Sequence, residues 1–394
     1  MKNKTIILAY SGGLDTSYCL KKLSNEGYDV HAIIVNTGSF SDKDLNKIKL
    51  NAKKLGASKF ISIDARQNFY EKIIKYLIFG NVLKNNSYPL SVSSERIIQA
   101  IEIINYSKKN KIKYISHGST GAGNDQVRFD LIFQILIPNI KIITPIRDNN
   151  ISRKEEIAYL RKNGINLRWS KSKYSINKGL WGTTIGGDET LTSRMPLPDS
   201  AFTQKLEAKK NKILRIEFKK GEIFKVNNKK KGPVELISYL DKLSSSYAIG
   251  RDIHVGDTII GIKGRVGFEA AAAKIIIKSH ELLEKHTLSK WQIFQKENLS
   301  KFYGLLIHEG KYFDPVIKDI EAYFNESQKY VTGTVFVELS PYTFNLNGVD
   351  SKHDLMKHNL GTYGENSSNW TADEVKGFIK ISSNSSKIYK KING

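Results

Sequence analysis

The sequence predicts an α/β protein: a doubly wound, parallel five-stranded sheet, then an α+β region, then a C-terminal helical arm. Three observations predict it. Short Ile- and Val-rich segments alternate with helical patterns up to about residue 150, the rhythm of βαβ units covered on both faces. Glycine-rich turns stand where strands run into helices, at 11–13 and 118–123. Beyond residue 164 the alternation gives way to a Gly-, Ser-, Thr- and Pro-rich stretch, then to short strands mixed with longer helices.

In order, Ile6–Tyr10, Val30–Asn36, Lys59–Asp64, Lys113–His117 and Ile140–Pro145 read as strands. Asp15–Asn25, Asp42–Leu55 (closed by Gly56), Gln67–Lys84, Ser93–Asn110 and Asp125–Leu136 read as the helices between them. Ile151–Gly164 is a further helix, opened by a Ser152–Glu155 capping box and stopped by Gly164. Residues 165–205 have few periodic apolar positions and read as a long loop, a length that usually carries function or is disordered. After it Pro233–Tyr247, Ala270–His286, Leu288–His308 and Pro315–Gln328 read as helices, and Val331–Leu339 with Tyr342–Val349 as a hairpin through Pro341. The tail past Gly361 holds one capped helix, Thr371 with Glu374, and a basic end. It is too short to bury a core alone and is expected to dock on another subunit.

With 394 residues, 40% of them apolar, the chain is long enough for two or three domains. No apolar run approaches the roughly 20 residues of a membrane span. The first apolar residues read as the first strand rather than as a leader. A cytoplasmic enzyme is the class expected. A single cysteine, Cys19, excludes an internal disulfide and reads as a small packing residue. The eight histidines show no metal spacing; His353 and His358 do not share a helix face. No resident metal is expected. The formal charge of +23 attracts polyanions, yet the lysines are spread through every segment alongside Asn and Ile. The one dense run, residues 227–232, falls where a hairpin turns and reads as a solvated loop. Nucleic acid is therefore not expected as a partner.

The first chemistry-bearing motif is Ala9-Tyr10-Ser11-Gly12-Gly13-Leu14-Asp15-Thr16-Ser17. A buried strand enters a helix through Gly-Gly, so bare backbone N–H groups converge on one point. The hydroxyls of Ser11, Thr16 and Ser17 join them. Such a point suits phosphate. It is neither the Walker A loop nor the dinucleotide fingerprint, since no lysine follows the glycines and the G-x-G-x-x-G spacing is missing. The second motif, residues 117–130, places three glycines before a helix that opens with Asn124, Asp125 and Gln126 and carries Arg128 one turn in. A structural cap explains Asn124 or Asp125 singly. It does not explain the arginine and the glycines together, which fit an anion site with an amine-binding acid beside it.

The first motif resembles the loop of the PP-loop ATP pyrophosphatases, which break ATP between its α and β phosphates. Residues 117–129, the run Tyr174-Ser-Ile-Asn-Lys-Gly-Leu-Trp-Gly182 and the spacing of Tyr88, Pro89, Leu90 and Ser93 join it in resembling the argininosuccinate synthase family. The likeness spans the chain and is strongest over 5–185. It implies ATP-dependent joining of citrulline to aspartate through a citrullyl-adenylate, a step of arginine biosynthesis that releases AMP and pyrophosphate. It implies a nucleotide-binding domain over 1–165, a synthetase and multimerisation domain over 166–365 and an oligomerisation arm over 366–394. It further implies a homotetramer, with Mg²⁺ arriving on ATP. Ala9, Tyr10, Ser11, Gly12, Gly13, Leu14, Asp15, Thr16, Ser17, Val35 and Gly118 would contact ATP. Tyr88, Ser93, Asn124, Arg128, Ser175 and Thr184 would hold citrulline. Thr120, Asn124 and Asp125 would hold aspartate. Asp15, Asp125 and Arg128 would act by positioning. No general base is assigned; the hypothesis left is that a phosphate of ATP takes the amine proton.

Several positions depart from the family's pattern. Ala122 stands where members carry Lys, and Thr184 where they carry Ser. Gly256 and Phe268 stand where they carry a citrulline-binding Glu and Tyr; Asp257, His254 or Glu269 are the candidates to replace the lost acid. Trp181 reads as a packing anchor, Glu95 and Arg96 as a solvated first helical turn, and Asp64 as a cap for the next helix. Tyr88, before Pro89, lies on extended backbone and presents a phenol to a cleft or packs within a loop. Rival readings are a PP-loop enzyme acting on tRNA, such as a lysidine synthetase, and a nucleotide-binding subunit without turnover. The first leaves residues 123–128 unexplained, and the second leaves the whole second polar cluster unexplained. A thiolation enzyme of this fold would want a second cysteine.

Overall fold

The computed structural model describes residues 4–166, 174–358, 360–361, 363–365 and 369–394. The first unit runs β1 (Thr5–Ala9), α1 (Leu14–Asn25), β2 (Asp29–Asn36), α2 (Asp42–Leu55) and β3 (Lys59–Asp64). A helical stretch follows through α3 (Arg66–Phe69), a π turn at Tyr70–Ile74 and α4 (Lys75–Phe79). Then come α5 (Ser91–Asn110), β4 (Tyr114–His117), α6 (Asn124–Leu136), β5 (Lys141–Ile143), α7 (Pro145–Asn149) and α8 (Arg153–Lys162). The five strands are parallel in the order β3-β2-β1-β4-β5. Ile6, Ile7 and Leu8 are buried from both faces, as the unbroken apolar run of β1 requires. The chain winds outward from β1 to β3, then returns to β1's other edge with β4. That reversal opens a crevice beyond the carboxyl ends of β1 and β4.

Local chemistry explains the boundaries. Ser41 with Asp44 and Ser152 with Glu155 form capping boxes, and Gly56 ends α2 in the left-handed region. The helix expected over 67–84 stops earlier. Gly80 closes it against the Phe324 ring, and Asn81, Asn85 and Asn86 take positive φ in the turns that follow. The strand expected at 140–145 is shortened because Pro145 opens α7 at its first turn.

The second unit runs β6 (Ser175–Gly179), β7 (Gly182–Gly186), β8 (Lys212–Lys219), β9 (Glu222–Val226), β10 (Lys229–Lys230), α9 (Pro233–Ser245), β11 (Arg251–Asp257) and β12 (Lys263–Glu269). It continues through α10 (Ala271–Thr287), α11 (Lys290–Glu309), α12 (Val316–Ser327), β13 (Gly333–Ser340) and β14 (Thr343–Asp350), then α13 (Ala372–Ser382) and α14 (Asn384–Asn393). Two antiparallel sheets form, β10-β9-β8-β13-β14 and β11-β12-β7-β6.

Three expectations need correction here. The stretch 165–205 is not all loop. Residues 167–173 lie outside those described, but β6 and β7 make a hairpin whose second strand pairs with β12, Thr184 opposite Phe268. Neither strand carries a strong apolar alternation; β7 is buried by neighbours distant in sequence, which local pattern does not reveal. The basic run turns at Asn227 as expected, but Lys229 and Lys230 belong to an edge strand and lie over the rings of Tyr239 and Phe224. The basic end of the tail is a second helix, α14.

Candidate active site

The crevice at the ends of β1 and β4 is a cleft of about 1390 Å³. Its first wall is the turn into α1. Gly13 is the N-cap, and no side chain covers the free N–H groups of the first helical turn. Ser11 Oγ accepts from Gly13 N at 3.3 Å and lies 3.1 Å from Thr16 Oγ1. Gly12 has φ +78°, and a Cβ there would come within 3.0 Å of Ile48, so glycine is required twice over. A Cβ on Gly118 would sit 3.2 Å from the backbone of Asp15 and Thr16. This close approach brings the second motif against the first. Lys47, Arg153 and Lys178 also line the cleft, a cationic wall suited to a polyphosphate. Ala122 lines it without adding charge.

The second wall is built on α6. Gly123, not Asn124 or Asp125, is its N-cap. Asn124 is freed to accept from Ile259 N at 2.9 Å, tying α6 to the β11–β12 turn. Asp125 lies between two arginines, 2.8 Å from Arg96 Nε and 2.8 Å from Arg128 Nη1. Burial alone would raise its pKa; the two guanidiniums outweigh burial and hold it at about 2. Arg128 also donates from Nε to His308 O at 2.9 Å. His117 accepts from Ser119 N on Nδ1, so its Nε2 donates to Asp130, 2.8 Å away.

Glu95 and Arg96 are not a solvated first turn. α5 starts at Ser91, two residues before the expected start, and turns this face inward under β6 and β7. Arg96 links α5 to α6 through Asp125 and to β6 through Asn177 Oδ1 at 3.1 Å. Glu95 is 1% exposed. Burial raises its carboxyl to about 8, so it is protonated at neutral pH. It fills the space above Gly179, where any Cβ would overlap its Oε1.

Tyr88 is buried at the far end of the cleft. Its hydroxyl accepts from Val92 N at 3.2 Å and from Ser91 Oγ at 3.3 Å, which leaves its own hydrogen to donate. The ring stacks on His254, 5.2 Å between centroids, and leans on Phe268. Phe268 is fully buried behind it, and Glu269, one of the three candidates for the lost acid, is buried, accepts from Thr203 and Gln204 N–H and does not line the cleft. Asp257 lines the cleft but pairs with Lys263 at 2.6 Å. His254 lines it too, and burial lowers its pKa to about 4, leaving a neutral imidazole.

Among the residues expected to contact ATP, Ala9 to Thr16, Val35 and Gly118 line this one cleft. Ser17 does not line it: it is buried behind the turn, 3.5 Å from the Tyr10 hydroxyl. Tyr88, Ser93, Thr120, Asn124, Asp125, Arg128, Ser175 and Thr184 all line it. Trp181 is buried packing, Asp64 accepts from Arg66 N at the start of α3, and Cys19 lies on the buried face of α1. Glu95, Arg96 and His308 were not legible as cleft residues, because charge in a helix's first turn, or a lone histidine, ordinarily signals a surface or a satisfied core group.

Two family models match this chain. One, described as the arginosuccinate synthase N-terminal HUP domain, covers residues 5–166; the other, the arginosuccinate synthase C-terminal domain, covers 174–389. A curated argininosuccinate synthase of Dictyoglomus turgidum is 38% identical over 97% of this chain and 96% of its own length. Those of Methanocaldococcus jannaschii and Xanthomonas campestris are 36% and 33% identical, the latter over the full length of both chains.

Proposed function

The chain belongs to the argininosuccinate synthase family, and from that premise we propose how its cleft joins citrulline to aspartate with ATP. The pyrophosphate end of ATP rests on the Ser11–Thr16 turn, where free N–H groups, hydroxyls and the helix dipole favour anions. The citrulline ureido oxygen attacks the α phosphorus, and the bond to the β phosphate breaks. The aspartate amine then attacks the ureido carbon. The carbon–oxygen bond breaks, and AMP leaves carrying the former ureido oxygen.

The side chains supply placement. Arg128 keeps hydrogens on both Nη atoms beyond those given to Asp125 and His308, a fork suited to a carboxylate. Asp125, ionised by its two arginines, keeps lone pairs to accept from the incoming amine. Ser93, Ser175 and Thr184 add hydroxyls on the citrulline side, and Thr120 one on the aspartate side. Mg²⁺ enters with ATP. Asp15, which lines the phosphate end, is the side chain placed to reach a cation that the phosphates would mostly hold.

α13 and α14 bury none of their residues and expose Phe378, Ile381 and Ile392; we assign them to the surface of another copy in a homotetramer. Among the described residues no helix is long and apolar enough to cross a membrane, and the cytoplasm is the compartment proposed. The observation that carries the reading is the shared cleft of the Gly12 turn and the Thr120–Arg128 segment. Pyrophosphate release assayed with each substrate omitted in turn tests it. Release that needs ATP, citrulline and aspartate together supports it; release driven by tRNA, or none, contradicts it.

A further inference from the structure

The far end of the cleft carries cations and neutral imidazoles, and each described carboxyl lining it already has a cationic partner or a proton. Arg128 lines it, and Lys84 is near enough to depress both His254 and His308. His254 Nδ1 and His308 Nε2 are buried without partners, and both histidines line the cleft. Burial holds His308 neutral, at about 3. The acids near this end each have a cationic partner or a proton; Asp252, which acts on His254, pairs with Lys274, and Glu309, which acts on Lys84, pairs with Lys311. Asp125 is shared by Arg96 and Arg128, Asp257 is tied to Lys263, and Glu95 is buried and protonated. Asp15 and Asp44 line the phosphate end instead. The undescribed residues 167–173 read Leu-Arg-Trp-Ser-Lys-Ser-Lys and contain no acid.

The backbone around His254 fixes the choice. A Cβ on Gly256 would come 2.8 Å from His254 Nε2. The imidazole, braced by stacking on Tyr88, therefore takes the room of a side chain at 256. This wall can hydrogen-bond an uncharged N–H or C=O. It offers an ammonium no carboxylate that is not already shared with a cation, and Arg128 and Lys84 stand near it.

Resting on the citrulline reading above, we propose that this chain also ligates ureido acids whose α-amino group is absent or acylated, because the His254–Gly256 wall reads the substrate's carboxylate end without reading an ammonium. Citrulline binds through its carboxylate with the ammonium turned to the open mouth. A site built to bond the ammonium would reject such analogues by roughly 10⁴-fold; this one discriminates by about tenfold or less.

The test measures pyrophosphate release by the full chain with ATP, aspartate and one of citrulline, Nα-acetylcitrulline or 5-ureidopentanoate. The expected kcat/KM values lie within about tenfold of one another. Analogues turned over at less than a hundredth of citrulline's efficiency overturn this inference and leave the ligase reading standing. No release with any of the three overturns the ligase reading itself. The paired variant His254→Ala with Gly256→Glu supplies a carboxylate at this wall and should swing the ratio toward citrulline by at least about tenfold. The ratio is read within one preparation, so partial misfolding does not move it. An unchanged ratio overturns the role given to this wall.

Discussion

Asp125 keeps two guanidiniums in place by standing between them, and its own ionisation depends on them. Asp125→Asn keeps the shape and removes the charge, so kcat/KM for aspartate should fall by ~10²-fold or more. Pyrophosphate release at varied aspartate checks this. Glu95 gives a pH signature. Its folded pKa of about 8 lies above the ordinary value of 4.5, so the folded protein keeps a proton that the unfolded chain loses. Its contribution to stability is complete below about pH 4.5, declines as pH rises through that window, and levels off only above about pH 8. Glu95→Gln removes the titration. Thermal melts of the two proteins should diverge from about pH 5 to 9, the wild type losing more; parallel curves would contradict the burial of an acid there. At this scale the glycines, hydroxyls, Asn124 and Arg128 were legible, because their chemistry sits inside short motifs. Glu95 and Arg96 were not, because a hairpin 81 residues further on, through Asn177, decides their burial.

The turn between β1 and α1 is the element that most depends on one residue type. Gly12→Ala adds a Cβ against Ile48 at positive φ. The strain costs about 1 kcal/mol, small for the fold and large for a turn whose N–H groups must converge. KM for ATP should rise about tenfold while the melting temperature moves by a few degrees. Steady-state kinetics and melting curves on one preparation separate the two effects. The β1–α1 and β4–α6 junctions could be read from Gly-rich breaks in strong apolar patterns. The β6–β7 hairpin could not, since Ser-Ile-Asn-Lys-Gly and Gly-Thr-Thr-Ile-Gly become strands through β12 rather than through their own propensity.

For the whole molecule, the parallel sheet was legible in its strand number and in where its strands fall along the chain, though not in their order across the sheet, and the later sheets only in their class. The inner strands β1 and β2 are covered on both faces and read as apolar runs, whereas the edge strands β3 and β5 are part-exposed, and β11, β12 and β14 are half-exposed and interrupted by Gly or charge. The tail was legible as a unit that cannot bury its own face. Removing residues 366–394 should therefore reduce the assembly to smaller species in light scattering, while the remaining chain keeps its α/β fold by circular dichroism. An unchanged assembly would contradict the role assigned to α13 and α14.

In the proposed reaction the ureido oxygen, held beside the α phosphate by two turns sharing one cleft, becomes part of AMP. Citrulline labelled with ¹⁸O in its ureido group tests this directly by mass spectrometry of the products. The label is expected in the phosphate of AMP. Label in pyrophosphate, or released to water, would contradict it.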